Sequence, residues 1–142
     1  MLFTSGAREA NNLALKGVAD WVKTGHIITA RTEHKAVLDV CKTLADRGFR
    51  ITYLEVDRAG RIDLNALDQA ITGDTVLVSL MGANNEVGTL HRLAEIGALC
   101  KARGVLFHCD GAQAVIKLRS MSSRWVSIYS RFLDTSCMRP KA

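Results

Sequence analysis

Only one proline, Pro140, occurs in the whole sequence, and neither a repeat nor a low-complexity segment accompanies it. No apolar run approaches the roughly 18 residues that span a bilayer, which argues against a membrane helix. The start, "MLFTSGAREANN", has no basic stretch leading into an apolar one, so no secretory signal is expected. The four cysteines, Cys41, Cys100, Cys109 and Cys137, form no Cys-x-x-Cys pair and show no metal-ligand spacing with the four histidines. Cys41, Cys100 and Cys109 lie within apolar patterns, where a thiol behaves as a small buried hydrophobe, so a reducing, cytoplasmic-type compartment is expected.

A basic face is also missing, despite a formal net charge of +5. Residues 1–117 hold 14 Lys and Arg against 13 Asp and Glu, a net of +1, whereas residues 118–142 hold 5 against 1, a net of +4. The basic residues of the body are scattered among acids with few aromatics between them, so neither nucleic acid nor a membrane surface is an expected partner.

What is present is a regular alternation of periods. "AREANNLALKGVADWVK" (7–23) carries Leu13, Ala14, Val18, Trp21 and Val22 at mixed three- and four-residue spacing, predicting a helix with one buried face that Gly25 stops. A short strand "HIIT" (26–29) and a helix over 33–48 through Val37, Leu38, Cys41 and Leu44 follow. Then come an alternating strand at 50–56, a "DRAG" turn, and a helix "LNALDQAI" capped by Asp63. Strand 75–80, loop "MGANNEVGT", helix 92–104 and strand 105–110 complete the pattern. Strands alternating with helices predict βαβ units and an α/β fold, with a mostly parallel sheet and helices on both faces.

In such folds ligands sit beyond the carboxyl ends of the strands. Four polar clusters fall there: "TSGARE" entering the first helix, "RTEH" after strand 26–29, "NNE" after strand 75–80, and "DGAQ" after strand 105–110. Each has a plain structural reading beside the functional one. The small residues before Glu9 suit an anion at a helix N-terminus or an ordinary capped turn. His34 suits ring stacking and proton transfer, or a surface cap. Asn84, Asn85 and Glu86 suit a binding loop or a turn, and Asp110 suits a ligand contact or the cap of a helix beginning near Ala112.

Taken together, "FTSGAREANNLALKGVA", "HIITARTEHKAVLDVCKTL", "ITYLEVDRAGRIDL" and "DTVLVSLMGANNEVGTLHRLAEIGALCKARGVLFHCDGAQAV" resemble the cysteine desulfurases, class V aminotransferase-like enzymes that use pyridoxal phosphate. The resemblance runs almost continuously from Leu2 to Lys117 and covers a middle part of the family's chain. It implies part of the large domain of a fold-type I enzyme over residues 1–117. It also implies that Asp110 pairs with the pyridinium nitrogen, holding it protonated so that the ring can accept electrons. By the same resemblance Gln113 would bond the ring's phenolic oxygen, and Asn85 that oxygen or the substrate carboxylate. His34 would stack on the ring and assist proton transfer as the catalytic residue. Ala7 and Arg8 would hold the phosphate, Arg8 standing where the family has a threonine. Ile116 stands where the family usually has glycine. L-Cysteine as substrate, a sulfur-acceptor protein such as an iron-sulfur scaffold, and a homodimer are implied in the same way.

Two groups the family requires are absent: the lysine of a "S-G-H-K" segment that links to the cofactor, and the nucleophilic cysteine of a later loop. Back-translating Trp125 to Ala142 and regrouping the bases two places along permits G-V-D-L-L-S-I-S-G-H-K-L-Y-A-P-K-G, which resembles the missing lysine segment. Residues 118–142 are therefore expected to be out-of-frame, the slip lying near Lys117, with no domain of their own. The chain as written is expected to be inactive and poorly soluble, with a strand edge unpaired. The related selenocysteine lyase and a non-catalytic product that binds a partner stand as alternatives. A nucleotide-binding module is disfavoured because neither glycine-rich phosphate motif occurs.

Overall fold

The computed structural model describes residues 7–82 and 92–110, with side chains from 11–82 and 92–109. Eight elements follow one another: α1 (Ala7–Val22), β1 (His26–Ala30), α2 (Lys35–Asp46), β2 (Arg50–Leu54), α3 (Leu64–Ala70), β3 (Thr75–Met81), α4 (Leu93–Arg103) and β4 (Leu106–Asp110). The four strands form one wholly parallel sheet in the order β2-β1-β3-β4. The expected α/β architecture is present, and the strand order is information that periodicity does not contain.

Strand alternation divides the sheet between two cores. Ile28, Ala30, Val78, Leu80 and Phe107 point to one face, where Leu67 of α3 and Ile96 and Cys100 of α4 cover them. Ile27 and Leu77 point to the other, under Leu15 and Ala19 of α1 and Val37, Val40, Cys41 and Leu44 of α2. Each fully buried Leu or Ile contributes about 1.5–3 kcal/mol relative to exposure, so the two layers together hold the sheet between the helices.

The buried stripe of α1 differs from the expected one. Asn11, Leu15 and Ala19, spaced by four, are buried, while Leu13 and Trp21 are 50% and 51% exposed. The helix carries apolar residues on more than one face, and the face that packs on the sheet and α2 is that of Leu15 and Ala19, with Val18 and Val22 of the expected set partly buried against it. Its end differs too. Lys23, at φ 67, takes the left-handed position that stops the helix, and its N–H still reaches Ala19 O at 2.9 Å. Gly25 serves the next step: at φ 150, a Cβ there would lie 2.9 Å from Val76 Cγ1, so only glycine lets β1 enter beside β3.

Other local devices match their sequence signals. Asp63 Oδ1 accepts the Asn65 N–H at 2.9 Å and caps α3. Asp57 Oδ1 accepts the N–H groups of Ala59 and Arg61 at 2.8 and 2.9 Å, closing the "DRAG" turn. Gly104, at φ 67, ends α4. The strand predicted over 50–56 stops at Leu54, and Val56 instead makes an isolated antiparallel bridge to Ile62.

At the amino edge of the sheet His26 is fully buried, its Nδ1 2.8 Å from Thr75 Oγ1 and its Nε2 2.7 Å from Thr52 Oγ1. One imidazole thereby ties β1 to both neighbouring strands. The exposed pair of Arg50 and Asp74, 2.7 Å apart, lies beside it.

Candidate functional site

The topology creates a crevice at the carboxyl edge. After β1 the chain turns to α2 on one face; after β3 it proceeds to α4 on the other, although β1 and β3 are adjacent. Connections that diverge from neighbouring parallel strands leave a gap between them, which is where ligands bind in open α/β sheets. Helix α1 reaches the same edge from another direction. Only residues 23–25 join it to β1, so its 16 residues run back along the sheet, packed on α2 and touching β4, with Ala7 and Arg8 at the far end.

His34 stands at this crevice as the N-cap of α2. Its exposed ring accepts the Ala36 N–H through Nδ1 at 3.1 Å. The capping reading of this residue holds, and the cap fixes the imidazole at the start of α2, just beyond β1. With Nδ1 engaged as an acceptor, Nε2 carries the proton of the neutral ring. Asp110 is the last residue of β4, paired with Met81 in the ladder. Thus the start of α2, with His34, and the end of β4, with Asp110, lie at the carboxyl edge, and α1, with Ala7 and Arg8 at its start, runs toward the same edge. Asn85 and Gln113 lie outside the described residues, as do Asn84, Glu86, Ile116, Lys117 and residues 118–142.

The structure adds polar groups that sequence reasoning passed over. Glu33, within "RTEH", is 5% exposed, and its Oε1 accepts the Met81 N–H at 2.6 Å. One row back from the edge, Ser79 Oγ lies 2.9 Å from Nδ1 of His108. The ladder pairs Thr29 with Tyr53 and Ser79 with His108, and the Ile28–Val78 pairing sets Thr29 beside Ser79. A polar row, Tyr53–Thr29–Ser79–His108, therefore crosses all four strands beneath α1 and α2. The available signal was a serine inside the otherwise apolar "TVLVSL", a costly residue to bury unless it is bonded.

Thiol chemistry is suppressed on this side of the sheet. Burial, reinforced by the negative charge of Glu33, pushes the Cys41 thiol up to about 12. Burial likewise raises Cys100 to about 11 on the opposite face. Both remain neutral and non-nucleophilic near pH 7, as packing residues should. Among the described residues no cluster of His, Cys, Asp or Glu could hold a metal ion, and no helix is long and apolar enough to cross a membrane.

Comparison with known proteins agrees with this geometry. The aminotransferase class-V family profile matches residues 1–125. The chain is 54% identical over 123 residues to the mitosomal cysteine desulfurase of Trachipleistophora hominis, covering 84% of this chain and 28% of that protein. It is 52% identical over 120 residues to the cysteine desulfurase IscS of Colwellia psychrerythraea, covering 83% and 30%. Among solved structures, SspA in complex with cysteine superposes with a TM-score of 0.73 at 39% identity, covering 75% of this chain and 31% of that one. The chain thus spans about three tenths of the length of the curated relatives it matches. With the parallel sheet, the carboxyl-edge crevice and a family profile over most of its length in agreement, the chain belongs to the aminotransferase class-V family.

Proposed function

We propose that this chain carries part of the cofactor-binding large domain of a cysteine desulfurase, the enzyme type that converts L-cysteine to L-alanine and passes the sulfur to a protein cysteine as a persulfide. The reading is supported by a parallel sheet whose carboxyl edge carries His34 at the start of α2 and Asp110 at the end of β4, in a chain about half identical to cysteine desulfurases. Sulfur transfer to an acceptor such as an iron-sulfur scaffold, and a homodimeric whole protein, belong to the same proposal.

Members of this family are pyridoxal-phosphate enzymes, and the described part of the edge fits such a ligand. The turn that presents the exposed imidazole of His34 also holds Thr32, whose Oγ1 is buried without a hydrogen-bond partner. An exposed imidazole and an unsatisfied hydroxyl carried by one short turn suit a planar, polar ring. Asp110 would hold the ring nitrogen, His34 the ring face, and Asn85 and Gln113 its oxygen. Ala7 and Arg8, at the N-terminus of α1, would hold the phosphate, with arginine offering charge in place of a hydroxyl. Bound there, the group supplies an electron sink for cleaving bonds at the amino-acid α and β carbons. His34, its Nδ1 held by the Ala36 N–H, would present Nε2 to the bound ring and assist proton transfer there.

Residues 118–142 are proposed to be an out-of-frame translation, although the family match ends within them at residue 125. Without the lysine and cysteine motifs the chain as written binds the cofactor but turns over no cysteine. Titration with pyridoxal phosphate, followed by its absorbance, tests this. The expectation is saturable binding weakened about tenfold or more in Asp110→Asn, with no alanine released on adding L-cysteine. Absence of saturable binding overturns the reading. Sequencing the DNA across the codons for Lys117 to Ala142 tests the frame, and codons that do not regroup into the lysine motif end that part of the proposal.

A further inference from the structure

The side chain of Glu33 joins the two strand ends that form the crevice. β1 ends at Ala30, and the chain turns back sharply, the Glu33 N–H reaching Ala30 O at 3.3 Å. The carboxylate then crosses to β3 and accepts the N–H of Met81, the last residue of that strand, at 2.6 Å. It supplies the acceptor that another residue of β1 would have provided, so the parallel ladder is completed by a side chain where the strand is missing. This contact lies at the point where the connections diverge, with 5% of Glu33 exposed. The next residue on one side is His34, whose ring is held by its cap on α2. On the other side Met81 is the last residue of β3.

We infer that Glu33 is a positioning residue: by bonding the Met81 N–H it locks the β1–α2 turn to the end of β3. That lock fixes His34, at the start of α2, relative to the end of β3. The inference rests on the proposed reading of that crevice as the pyridoxal-phosphate site. A buried charged acceptor suits the task, because a carboxylate bonds a backbone N–H more strongly than a neutral oxygen and does so at a single geometry. Helix capping by His34 alone fixes the ring relative to α2. The Glu33 bond fixes α2's start relative to β3.

The experiment compares the unmodified chain with Glu33→Ala and Glu33→Gln in two measurements: hydrogen exchange at the Met81 amide without any ligand, and the Kd for pyridoxal phosphate. In Glu33→Ala the amide should exchange about tenfold faster or more, and the Kd should rise by a similar factor. Glu33→Gln keeps a neutral acceptor of the same length, so both changes should be smaller and in the same direction. It carries the test if the alanine variant fails to fold. An unchanged Met81 amide overturns the lock. A freed amide with an unchanged Kd makes Glu33 merely structural and overturns the positioning role. No saturable binding by the unmodified chain overturns the functional reading and this inference together, whereas equal binding by all three chains overturns the inference alone.

Discussion

Ser79 Oγ and His108 Nδ1 meet at 2.9 Å between β3 and β4, in a row where the neighbouring Thr29 hydroxyl is fully buried and bonds to nothing. The two hydroxyls should respond oppositely to deletion. Ser79→Ala removes a bonded partner of a half-buried imidazole and should cost about 1–2 kcal/mol in urea unfolding. Thr29→Val exchanges an unsatisfied oxygen for a methyl group of similar size and should be neutral or stabilising by up to about 1 kcal/mol. A loss in Thr29→Val equal to that in Ser79→Ala would mean that the row is bonded throughout.

His26 should make stability depend on pH above the range of the carboxylates. Burial first, then the nearby Arg50 charge, lowers its pKa below 6.5, with Asp74 acting weakly the other way. The unfolded chain accepts a proton near 6.5 while the folded one resists it, so the unfolded state binds more protons as the pH falls. The contribution is fully present above about pH 6.5 and is lost on acidification from there down to the lowered folded value. Urea midpoints at pH 7.5, 6.5 and 5.5 should fall across that window in the native sequence, and the fall should largely vanish in His26→Asn. Asp20, Asp57 and Asp74, all held below the usual 3.8, lose their contributions only at lower pH.

Cys41 and Cys100, with thiols raised to about 12 and 11, should resist iodoacetamide at pH 8 in the folded chain and react once urea unfolds it. Peptide mass spectrometry distinguishes the sites. Labelling of Cys41 in native buffer would show that the α1–α2 layer opens far more readily than its burial implies.

Leu15→Ala should cost about 2–5 kcal/mol, because the side chain is fully buried between α1 and the sheet. Leu13→Ala should cost less than about 1 kcal/mol, since half of that side chain faces solvent. Equal losses would return the buried face of α1 to the one its periodicity suggests.

The buried face of α1 is not legible locally, for a physical reason. Apolar residues at 13, 14, 15, 18, 19, 21 and 22 fit more than one stripe of a 3.6-residue period, and local spacing carries no information about which stripe meets the sheet. Where a signal is purely local the sequence suffices. Asp63 caps α3 because an aspartate before a helix satisfies its free N–H groups, and Gly104 ends α4 because glycine enters the left-handed region without strain.

Determined by the sequence alone, then, are the number and order of the elements, the α/β class, and His34 and Asp110 as residues at strand-end turns, since each depends on neighbours a few positions away. The strand order β2-β1-β3-β4, the bond from Glu33 to a backbone N–H 48 residues distant, and the polar row through Thr29, Ser79 and His108 came only with the folded chain. Those features depend on which parallel strands become neighbours and at what register, and hydrophobic patterning is the same for every such arrangement.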